Sequence, residues 1–197
     1  MIDSALWYVT RDLPVFPLHS IQDGVCDCGH ADCGAPAKHP MTEHGLLDAS
    51  TDADRILEWW TRWPNANIGL VTGKPSGVIA IDIDPAKGGV TTWADAHAGQ
   101  EMPATRESQT GGGGRHILYR HPLNGTVIKT GTNVLGPGVD VRGDGGYIVV
   151  PPSIHLSGHR YVWHDIDGET ATAPLPPWLL ARLTAGPASG PVIDVGA

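Results

Sequence analysis

Three acids stand where carboxylates can hold metal ions: Asp82 and Asp84 in Val78-Ile79-Ala80-Ile81-Asp82-Ile83-Asp84-Pro85, and Asp140 in Gly138-Val139-Asp140-Val141-Arg142-Gly143. In extended backbone alternate residues share a face, so Asp82 and Asp84 point the same way at the end of an apolar strand. Like charges paired there are costly unless a cation lies between them, and carboxylate oxygens suit Mg²⁺ or Mn²⁺. Asp140, again inside a short apolar run, can complete a three-carboxylate cluster able to hold two ions during phosphoryl transfer. The alternative is a strand end that simply turns into solvent at Asp84-Pro85.

A second set of ligands is local. Cys26-x-Cys28, four residues and Cys33, then five residues and His39 place three thiolates and an imidazole in one short loop. Four such donors make a closed tetrahedral zinc site, and the ion would replace the hydrophobic core that this loop lacks. His30 is a rival fourth ligand, crowded between Cys28 and Cys33. With all four positions filled by protein, the expected role is structural or substrate-positioning, not catalytic.

Thr110-Gly111-Gly112-Gly113-Gly114-Arg115-His116 brings the third chemistry. Four glycines let backbone N–H groups approach an anion closely. The run is neither a P-loop, since Gly-Lys-Ser/Thr is missing, nor a dinucleotide fingerprint, since no helix follows; a plain hairpin turn is the alternative. Hydroxyl, guanidinium and imidazole from Thr110, Arg115 and His116 together suit a triphosphate.

Hydrophobic periodicity supplies the elements that must position these groups. A helix is expected over residues 2–11 and an edge strand over residues 14–18, where proline is tolerated. Ser50 or Thr51 caps a helix that carries Ile56, Leu57, Trp59 and Trp60 and ends before Pro64; Trp59, Trp60 and Trp63 should pack it on the core. Residues 67–71 and 78–83 read as a strand pair across a Gly/Pro turn, the second of them central and mostly buried. A helix over residues 89–98, strands over 106–109 and 116–120, a hairpin of 138–142 with 147–150, a strand over 160–163 and a helix over 178–183 complete the pattern.

A chain of 197 residues with 41% hydrophobic and 17% charged residues should fold around one main core. It has no apolar run of the length a bilayer needs and no signal-peptide layout, which favours the cytoplasm. Its three cysteines cannot pair off fully, which fits metal ligation in a reducing compartment. The net charge of -8 argues against a pure DNA-binding module more than against a catalyst that carries its own carboxylates. The Gly/Pro-rich residues 185–197 read as a linker, as if the chain were cut from a longer protein.

Taken in order, the cysteine loop ending Lys38-His39-Pro40, Asn67-Ile68-Gly69-Leu70-Val71-Thr72-Gly73, the Asp82/Asp84 strand, the glycine run, and the Asp140 segment leading to Pro151-Pro152-Ser153 are distinctive. Between about residues 5 and 183 the chain resembles the bifunctional primase-polymerase (prim-pol) N-terminal domains of plasmid and phage replication proteins, in the archaeo-eukaryotic primase superfamily. The resemblance implies a mixed-sheet α/β (α+β) fold with an RRM-like catalytic half, residues 1–184, from which a zinc loop, residues 24–40, projects. It implies that Asp82, Asp84 and Asp140 bind catalytic Mg²⁺ or Mn²⁺ and that His116 contacts the phosphates of a nucleoside triphosphate. Thr110, Gly112, Gly113, Gly114 and Arg115 would line that phosphate site, with Arg142 and Ser153 beside it. The implied partners are a single-stranded DNA template and a helicase region in the same polypeptide. A metal-dependent nuclease or phosphoesterase, or a non-catalytic zinc module for single-stranded nucleic acid, are the rival readings.

Overall fold

The computed structural model of the chain describes residues 1–165 and 170–185. In chain order the elements are α1 Ile2–Val9, β1 Val15–Leu18, β2 Ile21–Gln22, β3 Val25–Cys26, α2 Ala53–Arg62, β4 Asn67–Val71, β5 Val78–Ile83, α3 Gly89–Ala96, β6 Glu107–Gln109, β7 Arg115–Arg120, β8 Val139–Arg142, β9 Tyr147–Val150, β10 Val162–Trp163, β11 Ala173–Pro174 and α4 Pro177–Thr184. The expected linker falls, beyond Ala185, outside the described residues.

Helix α2 starts one or two residues later than Ser50 or Thr51 would have it. Its cap is Asp52, whose carboxylate accepts from Asp54 N at 2.9 Å, while Ser50 Oγ accepts from Asp52 N at 3.0 Å. Both oxygens are at work, but the β-region backbone that a cap needs belongs to Asp52. Trp60 is buried and its indole N–H donates to Ala66 O at 3.0 Å, so the ring packs without an orphaned donor; Trp59 and Trp63 pack more shallowly on the same core.

The strands form a mixed α+β arrangement of largely antiparallel sheets. One sheet has the order β1-β4-β9; the larger runs β10-β6-β7-β5-β8, with β11 parallel to the far end of β7, and β2-β3 is a small hairpin in the cysteine loop. As expected, β1 is an edge and β5 is central. Two expected pairings are not formed. Strands β4 and β5 are not partners, since only a Gly73–Val78 bridge joins them, and β8 and β9 are not a hairpin, because β8 joins β5 while β9 joins β4.

The reason lies in the two short turns between these strands, which carry the chain from one sheet to the other. Gly73 has φ +84°, and a Cβ there would lie 2.6 Å from the Asp144 Cα. Thr72 N donates to Gly146 O at 2.9 Å and Thr72 Oγ1 to Gly143 O at 2.7 Å. The two crossings therefore lie side by side and brace each other.

Between the sheets lies one core, with Val78, Ala80 and Leu118 facing Ile68, Leu70, Ile148 and Val150, closed by α1 and α2. The opposite face of the large sheet buries Ile79, Ile81, Ile117 and Val141 against Trp93 of α3 and Leu179 of α4. Along β5 the inward residues run Val78, Ala80, Asp82, so the apolar interlayer ends where the first acid begins.

Candidate functional site

The antiparallel register places Asp82 directly opposite His116 on β7 and directly opposite Asp140 on β8. Ser108 on β6 in turn faces His116. One face thus carries the row Ser108, His116, Asp82, Asp140, each about one strand spacing, ~4.8 Å, from the next. His116 Nε2 lies 3.5 Å from Asp82 Oδ1, and its Nδ1 is buried without a protein partner.

Arg142, two residues after Asp140 and so on the same face, directs Nη2 at Asp140 Oδ2 (2.8 Å) and at Asp82 Oδ2 (3.5 Å). Burial alone would favour the neutral acid at Asp82. The His116 hydrogen bond, with the charges of His116, Arg142 and Lys38, outweighs it and holds the carboxyl down at about 2. Asp82 is therefore a permanent anion, fit to hold a hard cation. Asp84 faces the same cleft but has local partners: it caps the turn Pro85–Lys87 by accepting from Ala86 N at 3.0 Å and pairs with Lys87 at 3.1 Å. Among the described residues, Asp82, Asp84 and Asp140 do not bring oxygens within 4.8 Å of one another as a trio. The carboxylates fit divalent ions in number and charge, with Arg142 as the cation lying between two of them.

The glycine run closes β6 onto β7. Gly113 N donates to Thr110 O and Gly114 N to Thr110 Oγ1 (3.0 Å), so Thr110 caps its own turn. A Cβ on Gly114 would lie 2.4 Å from Ile83 O, and one on Gly111 would lie 2.3 Å from His155 Cβ. These two glycines are demanded by close approach; Gly113 is demanded by φ +86°. Thr110, Gly112, Gly114, His116 and Arg142 line a cleft of about 540 Å³ together with the three acids, within the usual range for small-molecule sites.

Three expected members do not line the cleft: Gly113, which faces open space in the turn, and Arg115 and Ser153. Arg115 precedes His116 on the same strand, so it points through to the opposite face, where Nη1 pairs with Glu107 at 3.2 Å. Ser153 is fully buried and its Oγ accepts from Ile68 N at 2.9 Å, a structural bond in β4. Residues that sequence reasoning did not select also line the cleft: Lys38, Tyr147, His155 and Tyr161. Loops or the second sheet deliver them; only Lys38, beside the candidate zinc ligand His39, carried a readable hint.

In the cysteine loop, Cys26, Cys28, Cys33 and His39 bring their ligand atoms within 4.8 Å of one another, and His30 is not part of that group. His39 Nε2 lies 3.5 Å from both Cys26 Sγ and Cys33 Sγ. Zinc–sulfur and zinc–nitrogen bonds of ordinary length at a tetrahedral angle give an S···N edge of about 3.6 Å, so the donors are spaced for that ion. Burial raises the Cys26 thiol, but hydrogen bonds from the Ala37 and Cys28 backbone and from His39 bring it down to about 7. His19 stacks on His39 at 4.2 Å between ring centroids and is held by Asp27 at 2.7 Å, an outer support for the ligand.

These features define an α+β enzyme domain with an acid-and-imidazole cleft at the seam of two sheets and a Cys₃His cluster beside it. The model of the bifunctional DNA primase/polymerase N-terminal family matches residues 5–178, and the chain belongs to that family. It is a DNA primase/polymerase enzyme, whose reactants are DNA and nucleotides. No curated protein matches the chain. No helix among the described residues is long and apolar enough to cross a membrane.

Proposed function

We propose that this domain makes primers and extends DNA on a single-stranded template by nucleotidyl transfer, in plasmid or phage replication, with a helicase region following it in the same polypeptide. The observation that carries the reading is the register: Asp82 sits between His116 and Asp140 on three adjacent strands, at the mouth of a nucleotide-sized cleft. In it, Asp82, Asp84 and Asp140 would hold the divalent ions, which would supply Lewis-acid activation of the primer 3′-hydroxyl and charge neutralisation at the phosphate under attack.

The remaining work falls to the chain itself. His116 and Arg142 face the triphosphate, and the Thr110 turn lets backbone approach it. The low carboxyl value of Asp82 keeps it ionised wherever the enzyme works. The Cys₃His cluster holds its zinc as a structural ion.

Incorporation of labelled nucleoside triphosphates on single-stranded DNA, with and without primer, in Mg²⁺ and Mn²⁺, tests this directly. Metal-dependent product that disappears in Asp82→Ala supports it, and product without primer establishes priming. Degradation of DNA without added triphosphate would instead identify a nuclease using the same acids. DNA binding undiminished in Asp82→Ala, with no chemistry in either protein, would leave a binding module.

A further inference from the structure

Lys38 immediately precedes His39 of the Cys₃His cluster, yet it lines the acidic cleft with Asp82, His116, Arg142 and His155. The backbone that takes it there is unusual. Ala37 has φ +60°, a left-handed conformation that a residue with a side chain keeps only where its surroundings over-determine it. Those surroundings are three consecutive carbonyls tied to three separate parts of the fold. Ala37 O accepts from the Asn67 amide at 3.0 Å, Lys38 O from Tyr147 Oη at 2.9 Å, and His39 O from His19 N at 2.9 Å. Ala37 and Asn67 are both buried.

The side chain so delivered is exposed and positive. Among the described residues the cleft's ion pairs join His116 and Arg142 to Asp82 and Asp140, and Lys87 to Asp84; none includes Lys38, whose charge acts on Asp82 only from beyond ion-pair distance. An ammonium carried on a tied-down backbone and outside any ion pair, at the edge of a site proposed to take a triphosphate, is suited to an anionic oxygen.

We propose that Lys38 contacts the β- or γ-phosphate of the incoming nucleotide, and that the Cys26, Cys28, Cys33 and His39 cluster is the clamp holding it over the cleft. This rests on the primase-polymerase reading of the site. Lys38 is a binding residue; the cluster positions it. Loss of the clamp therefore removes a cation from the cleft while leaving the acids of β5 and β8 in place.

The test is equilibrium binding of ATP and of AMP, in Mg²⁺, to the native chain, Lys38→Ala, Lys38→Arg, Cys28→Ser and the Lys38→Ala/Cys28→Ser double variant. Zinc content by elemental analysis and circular dichroism accompany each. Lys38→Ala should keep its zinc and weaken ATP about tenfold or more, the scale of one lost charge-assisted hydrogen bond, while AMP changes little. Lys38→Arg should recover most of the loss. Cys28→Ser, still folded, should lose zinc and weaken ATP similarly, and the double variant should add little to either single change. Unchanged ATP affinity in Lys38→Ala, or equal losses for ATP and AMP, overturns the contact; full ATP affinity in zinc-free Cys28→Ser overturns the clamp. If the native chain binds ATP no better than AMP, the nucleotide reading of the cleft itself falls. If it does bind ATP better and polymerises while Lys38→Ala matches it, only the present inference falls.

Discussion

Asp82 and Asp140 lie directly opposite each other across the β5–β8 ladder, and Arg142 Nη2 reaches both, at 3.5 and 2.8 Å. Opposed carboxylates repel, so the guanidinium serves as an internal counter-ion. Under the proposed reading, an ion held by both acids would take over that neutralising role and free the guanidinium to face phosphate. Arg142→Ala should therefore lower stability by roughly 1 kcal/mol in chelator, since the pair is partly exposed. Added Mg²⁺ should raise its melting temperature more than that of the native protein; equal shifts would show that Arg142 does not compete with the ion.

Removing Asp82 or Asp140 as Ala should cut nucleotide incorporation by at least about a thousandfold, the scale of losing a principal transition-state charge contact. The fold should survive, because both side chains stand at the polar end of the interlayer. Thermal melting beside the incorporation assay decides it: full activity in either variant sinks the assignment.

Asp82 also carries a pH signature. Its folded-state value, about 2, lies below its ordinary 3.8, so the unfolded chain binds its proton first as pH falls. The carboxylate thus contributes stability that is complete above about 3.8 and is lost progressively as pH drops towards 2. Acid unfolding followed by circular dichroism should be less steep in Asp82→Asn across that window, and a superimposable curve would contradict the assignment.

The two kinds of glycine constraint predict different costs. Gly114→Ala drives a methyl into Ile83 O and should destabilise by about 1–3 kcal/mol, with weakened nucleotide use because the strand end moves. Gly113→Ala meets open space and pays for its positive φ, roughly 1–2 kcal/mol. Urea unfolding of both variants, with KM for nucleotide, separates displacement of the site from backbone strain.

Ser153→Ala should cost about 1–3 kcal/mol by orphaning the buried Ile68 N–H, while leaving KM unchanged in the folded enzyme. A raised KM at full stability would return Ser153 to the phosphate site.

Most elements were legible because periodicity records which residues are buried together. Their partners were not: the runs at 67–71 and 78–83 look like a hairpin, and only three-dimensional crowding at Gly73 and Asp144 sends them to different sheets. Asp82 and Asp84 were legible as a pair because strand parity sets them on one face; the ladder register is what adds His116 and Asp140 to it. The same parity, applied to the residue before His116, would have sent Arg115 to the other side. Lys38, His155 and Tyr161 escaped because they arrive from segments whose approach to the cleft follows from long-range bonds, such as Asn67 to both Ala37 and Ile154 carbonyls.

The two walls of the cleft belong to different sheets, so Ile68, Leu70 and Ile148 act as shims that set its gape. Trimming one of them should therefore alter the width of the cleft and the heat tolerance of the domain together.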